Sequence, residues 1–546
     1  MSSGWSGGVP ELRRLLPRIA ALLLLDASVT FNNWWPTPAV WWSGAPSLEL
    51  AILLLALTVA VGRGILTSPR LVRWMSVSWI VLIVGRYVDV TAPALWGRDL
   101  NFYWDLRFLP DVAAMLIGAS RSAALIGALA AAAVVLVLGV LYLAVHWALR
   151  QVLATLAERR GRVALGVVSA VMVVLFAMQA GGLFGLDLLG EEWRLFPRPV
   201  VQVYARQARL TVQALSKSAE LPPSPALDAN LARVQGADVF LFFIESYGAV
   251  TFENAAFDAR LQQPRAALDR AIHDTGRDVV SAFVESPTFG GSSWFAHITF
   301  LSGITVGDPD TNALLMAEQR QTMVTNFANR GYRTVAMMPG LWYPWPEGSF
   351  YGFQEIYGGP RLDYRGPSIG WWDMPDQFTL AKLDEQQVSK ASRPPLFVFF
   401  PTISTHTPFS PLAPYVSDWA RILTPTPFTK AEFDRAFSVD PDYMNLGPGY
   451  GDAIAYAYET FSGYLHQRAG RDYVIILIGD HQPPALVSGQ GAPWDVPMHV
   501  ITNRPEILDS LAAHGFVRGL TPTRPHLGQM REAVPLLLHA FSEDSN

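Results

Sequence analysis

Asp238-Val-Phe-Leu-Phe-Phe-Ile-Glu-Ser-Tyr247 is an unbroken apolar run that ends in an acid, and Val474-Ile-Ile-Leu-Ile-Gly-Asp-His-Gln-Pro483 repeats the design far downstream. A short apolar run without alternation is the pattern of a strand covered on both faces, as in a parallel sheet. In open α/β sheets ligands bind at the carboxyl ends of the strands. Glu245 on one strand, and Asp480 and His481 on the other, are therefore expected to meet at one site. Further strands are predicted at Val279–Val284, Arg333–Met338, Leu396–Phe400 and His499–Thr502, with helices over 256–273, 318–330 and 449–467. Alternating strands and helices predict a doubly wound α/β domain with a mostly parallel central sheet.

Working outward, the chain divides in two. Its 546 residues are 51% hydrophobic and 16% charged, and the apolar excess lies before about residue 190. Five apolar stretches approach the length that spans a bilayer, about 20 residues: Leu15–Phe31, Leu48–Leu66, Trp74–Leu95, Ala123–Leu149 and Val163–Leu186. No small-residue cleavage site follows the first, which reads as an anchor instead of a removable signal. Arginines set the orientation. Arg13, Arg14 and Arg18 precede the first stretch, Arg63, Arg70 and Arg73 follow the second, and Arg150, Arg159, Arg160 and Arg162 follow the fourth. The loop between the first two has no Lys or Arg but holds Trp34, Trp35, Trp41 and Trp42, an interfacial belt. Five crossings then leave the N-terminus cytoplasmic and everything after residue 190 outside a bacterial plasma (inner) membrane.

Arg86 and Asp89 fall within the third stretch; they are either functional groups in the membrane or a pair near its outer face. Residues 191–220 are amphipathic and predict a helix on the membrane surface. Leu221-Pro-Pro-Ser-Pro225 reads as a stiff linker. The expected organisation is a five-helix transmembrane domain over 1–190, an interfacial helix and linker over 191–236, and an extracytoplasmic domain over 237–546. A net charge of −5, with no basic stripe in the second half, speaks against nucleic acid as a partner. The chain has no cysteine, which excludes disulfides, thiolate ligands and a cysteine nucleophile.

Two carboxylates and an imidazole suit a divalent cation such as zinc or manganese. Glu285-Ser-Pro-Thr-Phe-Gly-Gly-Ser-Ser-Trp-Phe-Ala-His-Ile-Thr-Phe-Leu-Ser-Gly303 supplies a further element. A strand runs into a glycine pair, then into two serines that open a helix. Glycines permit the tight turn, and a helix N-terminus offers free N–H groups. A serine there is either an ordinary N-cap or a nucleophile activated by a metal.

The acid after a strand, the Gly-Ser helix start ending in Leu-Ser-Gly303, and the late Gly479-Asp-His481 resemble, in that order, the alkaline phosphatase/sulfatase superfamily. In that superfamily the nucleophile lies ten residues before the glycine of the Leu-Ser/Thr-Gly end. The resemblance thus implies Ser293 as nucleophile, with Ser292 as the alternative. Both halves of the chain are similar to the five-span branch that includes lipoteichoic acid synthases and phosphoglycerol transferases. That resemblance implies one Mn or Zn ion held by Glu245, Ser293, Asp480 and His481. It also implies a substrate-binding or general-acid role for His406, in Phe399-Phe-Pro-Thr-Ile-Ser-Thr-His406.

Other positions depart from the branch. Its Trp-x-Arg substrate clamp has no clean counterpart; Trp345 and Glu347 stand in that region. The sulfatase motif needs Pro and Arg at fixed offsets after its Cys or Ser, and Ser293-Trp-Phe-Ala-His297 has neither, so an unmodified serine attacking phosphorus is favoured. His297, one turn after Ser293, and His499, on a predicted strand, are further substrate-binding candidates or packed side chains. The implied activity is transfer of a phosphoglycerol or phosphoethanolamine head group from a phospholipid to a glycan or lipid acceptor through a phospho-Ser intermediate. The alternatives are a hydrolase of phosphate, phosphonate or sulfate esters, and a non-catalytic membrane binding protein.

Overall fold

The computed structural model describes the chain except residues 1–7, 66–67, 107–122, 182–194, 217–220, 343–344, 346–347, 371, 439–440 and 544–546. It divides into two compact units, Met1–Leu95 with Asp99–Ser216, and Trp96–Arg98 with Lys217–Asn546.

The first unit is helical: α1 (Gly8–Ala27), α2 (Leu48–Gly62), α3 (Pro69–Trp96), α4 (Ala123–Ala157), α5 (Arg159–Ala180) and α6 (Val200–Ser216). Among the described residues three helices are long and apolar enough to cross a membrane: Pro69–Trp96, Gly127–Ala157 and Arg159–Ala180. The expectation was five. α2 is apolar but only 15 residues long, about 22 Å of helix against a hydrocarbon core of about 30 Å. α1 carries Glu11, Arg13, Arg14, Arg18 and Asp26. The far end of the expected fifth span, 182–186, lies outside the described residues. α4 leaves Leu129, Val135, Leu136 and Leu143 uncovered. Water penalises such a face, and lipid does not.

A short antiparallel ribbon, β1 (Phe31–Asn33) with β2 (Val40–Trp42), fills the loop between α1 and α2. Trp34, Trp35, Trp41 and Trp42 are all exposed on it. The Arg86 guanidinium donates to the Phe31 carbonyl and the Asn32 side chain at 2.9 Å each and lies 3.7 Å from Asp89. Asp89 also meets Arg206 of α6 at 3.4 Å. Of the two readings of these charges, pairing is what the geometry displays. A helix is present within the expected amphipathic range as α6, whose Tyr204 hydroxyl donates to the Val81 carbonyl at 2.5 Å. Residues 191–194 and 217–220 of its expected range lie outside the described residues.

The second unit is built on an eight-stranded sheet, ordered β10-β4-β9-β8-β3-β7-β5-β6. Its strands are β3 (Asp238–Ile244), β4 (Asp278–Glu285), β5 (Arg333–Met338), β6 (Glu355–Gly358), β7 (Leu396–Pro401), β8 (Tyr473–Gly479), β9 (Asp495–Thr502) and β10 (Val517–Arg518). The run β8-β3-β7-β5-β6 is parallel, whereas β9, β4 and β10 add antiparallel pairings at one edge. β3 is buried along its whole length. Phe240, Phe242 and Ile244 point into a core covered by α7 (Ala255–Asp274), α9 (Asp376–Leu383) and α10 (Gly447–Gln467). Val239, Leu241 and Phe243 point into the other core, with α8 (Ser293–Ser302). The unbroken apolar run follows from this: alternate side chains serve opposite layers, and both layers are dry. Leu227, Leu231 and Val234 are buried in the second core too.

Candidate metal centre and nucleophile

β3 and β8 pair in parallel with Ile244 opposite Gly479. The next residue of each strand, Glu245 and Asp480, therefore leaves the sheet side by side at its carboxyl edge. Glu245, Asp480 and His481 each offer a ligand atom, all within 4.8 Å of one another, and all three residues are buried. Among the described residues no Lys or Arg pairs with either carboxylate. Two buried carboxylates this close repel each other and have lost their water. A divalent cation answers both costs, so the donor set of two carboxylates, an imidazole and a nearby hydroxyl fits such an ion.

The surrounding hydrogen bonds aim these donors. His481 Nδ1 meets the Gln482 carbonyl at 2.7 Å, so that nitrogen carries the proton. Nε2 is left facing the cluster, 3.3 Å from Glu245 and 3.9 Å from Asp480. Fixing the tautomer from behind is the usual device at a metal-binding histidine. Asp480 Oδ1 accepts the backbone N–H groups of Ser246 at 2.8 Å and His481 at 2.7 Å. The Ser246 hydroxyl donates to Glu245 at 3.0 Å.

Electrostatics in the metal-free cluster are strongly skewed. Burial works to raise the Glu245 carboxyl, but His481 and then His406 outweigh it and hold the carboxyl far below its ordinary range. Burial, and then repulsion from Glu245, push Asp480 well up. Burial opposes the His481 imidazolium, yet Asp480 and Glu245 prevail and push it up to about 9.

The nucleophile candidate enters from β4. The chain leaves that strand through Ser286, whose hydroxyl donates to the Asp480 carbonyl at 2.5 Å. It then turns through Gly290, Gly291 and Ser292, all at positive φ (65°, 144° and 62°). Glycine tolerates this conformation; serine at φ 62° is strained. The turn delivers Ser293 to the first position of α8. Its hydroxyl donates to Glu245 Oε2 at 2.7 Å and lies 3.2 Å from His481 Nε2. Ser292 makes no cap hydrogen bond.

The remaining candidates scatter. His406 is half-buried on the loop after β7, with Nδ1 2.6 Å from the Thr407 carbonyl, and its charge is felt at Glu245. His297 is wedged edge-on between Phe243 and Phe399, with ring centroids 4.7 and 5.4 Å away. Its Nε2 is buried without a partner, and burial pushes the ring down to about 3, hence neutral. His499 is buried in β9, with Nε2 3.0 Å from the Tyr247 hydroxyl and Nδ1 2.6 Å from Ser281 Oγ. Trp345 packs on Tyr351 at 5.1 Å, and Glu347 lies outside the described residues.

Sequence reading missed the side chains that hold the site's frame. Thr402 Oγ1 accepts the Glu245 N–H at 3.0 Å. Asp376 accepts the N–H groups of Ile403 and Ser404 at 2.8 and 2.9 Å. Asp376 had a signal: an acid just after a proline, at a helix start.

At the carboxyl edge of the α/β unit, Glu245, Asp480 and His481 thus form a buried three-donor cluster beside the helix-start serine Ser293. Residues 302–504 match the family model described as Sulfatase. The match takes in His406, Asp480 and His481 and begins after Glu245 and Ser293. No curated protein matches the chain. Among solved structures the chain is similar to the lipoteichoic acid synthase LtaP from Listeria monocytogenes (13% identity, 61% of this chain and 80% of that one, TM-score 0.37). It is also similar to the Streptococcus pyogenes phosphoglycerol transferase GacH in complex with sn-glycerol-1-phosphate (12%, 61% and 80%, TM-score 0.35). A third is the C-terminal periplasmic domain of EcEptC from Escherichia coli (13%, 52% and 77%, TM-score 0.33).

Proposed function

We propose that this chain is a membrane-anchored, metal-dependent transferase that moves a phospho-head group, phosphoglycerol or phosphoethanolamine, from a phospholipid to a glycan or lipid acceptor. The N-terminal helices anchor the chain in the bacterial inner membrane, and the second unit works outside it. The observation that carries the reading is the Ser293 hydroxyl, 2.7 Å from Glu245 and 3.2 Å from His481 at the mouth of a buried cation site. The uncovered apolar helices add a reason for a lipid donor: a donor confined to two dimensions needs an enzyme held at the same surface.

A divalent ion, Mn2+ or Zn2+, bound by Glu245, Asp480, His481 and Ser293, would supply positive charge that lowers the serine pKa and offsets charge on the phosphoryl oxygens. Ser293 Oγ forms the bond to phosphorus while the bond from phosphorus to the diacylglycerol oxygen breaks. The serine proton leaves to water by way of Glu245 Oε2, which already accepts it in a hydrogen bond. His406 gives a proton to the departing diacylglycerol oxygen. The first N–H groups of α8 face the phosphoryl charge. In the second half the acceptor hydroxyl attacks phosphorus, its proton passes to His406, and Ser293 leaves and regains its own.

The test is diacylglycerol release from mixed phospholipids by the full-length protein with Mn2+, beside Ser293→Ala. Release that vanishes in the variant is expected, and the phospholipid consumed names the donor. Cleavage of a soluble aryl phosphodiester or sulfate ester without any lipid turnover would instead support the soluble-ester hydrolase.

A further inference from the structure

The loop that carries His406 is held from outside the metal cluster, and the hold converges on one side chain. Asp376 is 3% exposed. It opens α9, which packs in the core opposite α8. Its two carboxylate oxygens are divided between consecutive backbone groups: Oδ1 accepts from Ile403 N–H at 2.8 Å and Oδ2 from Ser404 N–H at 2.9 Å. The bracket is reciprocal, because Asp376 N–H donates to Ser404 Oγ at 3.1 Å. The turn continues directly into the histidine, whose own N–H donates to the Ile403 carbonyl at 3.2 Å. Upstream, Thr402 N–H donates to the Phe243 carbonyl at 2.8 Å and Thr402 Oγ1 receives the Glu245 N–H at 3.0 Å. Trp372, four residues before Asp376, lies edge-on to the His406 ring with centroids 6.2 Å apart. Trp372, Met374, Ser404, His406 and Phe409 line a common small cavity.

We infer that Asp376 is a positioning residue that sets His406 against the metal-ligand strand, acting on substrate only through that histidine. The inference rests on the assignment of His406 to the substrate made above. An aspartate suits the task because a carboxylate is acceptor-only and can serve two parallel N–H groups. An asparagine turns one acceptor into a donor facing an N–H. The loop then loses a hydrogen bond and gains a clash of like dipoles, although the side-chain volume is unchanged.

The experiment is a double-mutant cycle in the full-length protein with Mn2+, comparing Asp376→Asn, His406→Ala and the double variant. It is read on whichever ester the wild type turns over, lipid or aryl phosphodiester. Asp376→Asn is expected to lower kcat on the order of a hundredfold, leave metal affinity unchanged, and add nothing further in the His406→Ala background. Multiplied losses in the double variant, or full activity in Asp376→Asn, would overturn the inference. Ser404→Ala removes only the reciprocal bond; a partial loss of kcat, also absent in the His406→Ala background, is expected, and this variant carries the cycle if Asp376→Asn does not fold. Amide exchange of 402–406 gives a readout independent of turnover. It should accelerate in Asp376→Asn while β3 and β8 stay protected, and unchanged exchange would refute the bracket even if the proposed reaction proved wrong.

Discussion

At the residue scale, the metal-free cluster stores protons that a cation must displace. His481 is pushed up to about 9, above its ordinary value of about 6.5. A raised folded-state pKa stabilises the apo-protein fully below the unfolded value, and that contribution is lost as pH rises through about 9. Cation binding needs the neutral imidazole and so releases a proton. Below about pH 9, apparent affinity should rise with pH, at least about tenfold per pH unit for this one proton. The check is the increase in thermal midpoint on adding Mn2+ or Zn2+ at pH 6 and at pH 8. A clearly larger increase at pH 8 is predicted, and equal increases would mean that His481 does not exchange its proton for the metal. His297 and His499 play no part in this titration, since burial pushes both down to about 3.

At the scale of elements, legibility followed hydrophobic pattern. β5 is Arg333–Met338, the span expected, and β3 and β8 announce themselves because both faces are buried. β6 and β10 were not read: four and two residues long, at the two edges of the sheet, they carry too little apolar periodicity. The antiparallel direction of β9 is equally silent, because a strand buried on both faces looks the same in either direction. The helix expected over 318–330 is shorter, Met323–Asn329, since Thr322 caps it and its partner Thr325 completes the capping box. Of the site, Glu245, Asp480 and His481 could be read because they end strands, and Ser293 because glycines precede a helix. The bracket by Thr402 could not, since it meets Glu245 only through β3–β7 pairing, and Asp376, legible as a helix start, gave no sign that its carboxylate reaches Ile403 and Ser404.

At the scale of the whole molecule, the proposed orientation predicts which surfaces face which compartment. The chain has no cysteine, so single substitutions can be labelled without background. Tyr443→Cys sits at an exposed position, 51% accessible, in the second unit. Arg160→Cys sits in the first turn of α5, among the arginines that the orientation keeps in the cytoplasm. A membrane-impermeant maleimide applied to intact spheroplasts should label Tyr443→Cys and reach Arg160→Cys only after permeabilisation. The reverse pattern would place the catalytic unit in the cytoplasm and end the argument for an extracytoplasmic acceptor.

The central claim is that Ser293 makes a covalent bond to phosphorus, and the most direct measurement is mass spectrometry of the acid-quenched full-length protein during turnover of a phospholipid. The account predicts a phospho-head-group adduct on the peptide containing Ser293, mapped to that residue by fragmentation and absent from Ser293→Ala. An adduct on Ser292, or sustained diacylglycerol release by Ser293→Ala, would contradict it.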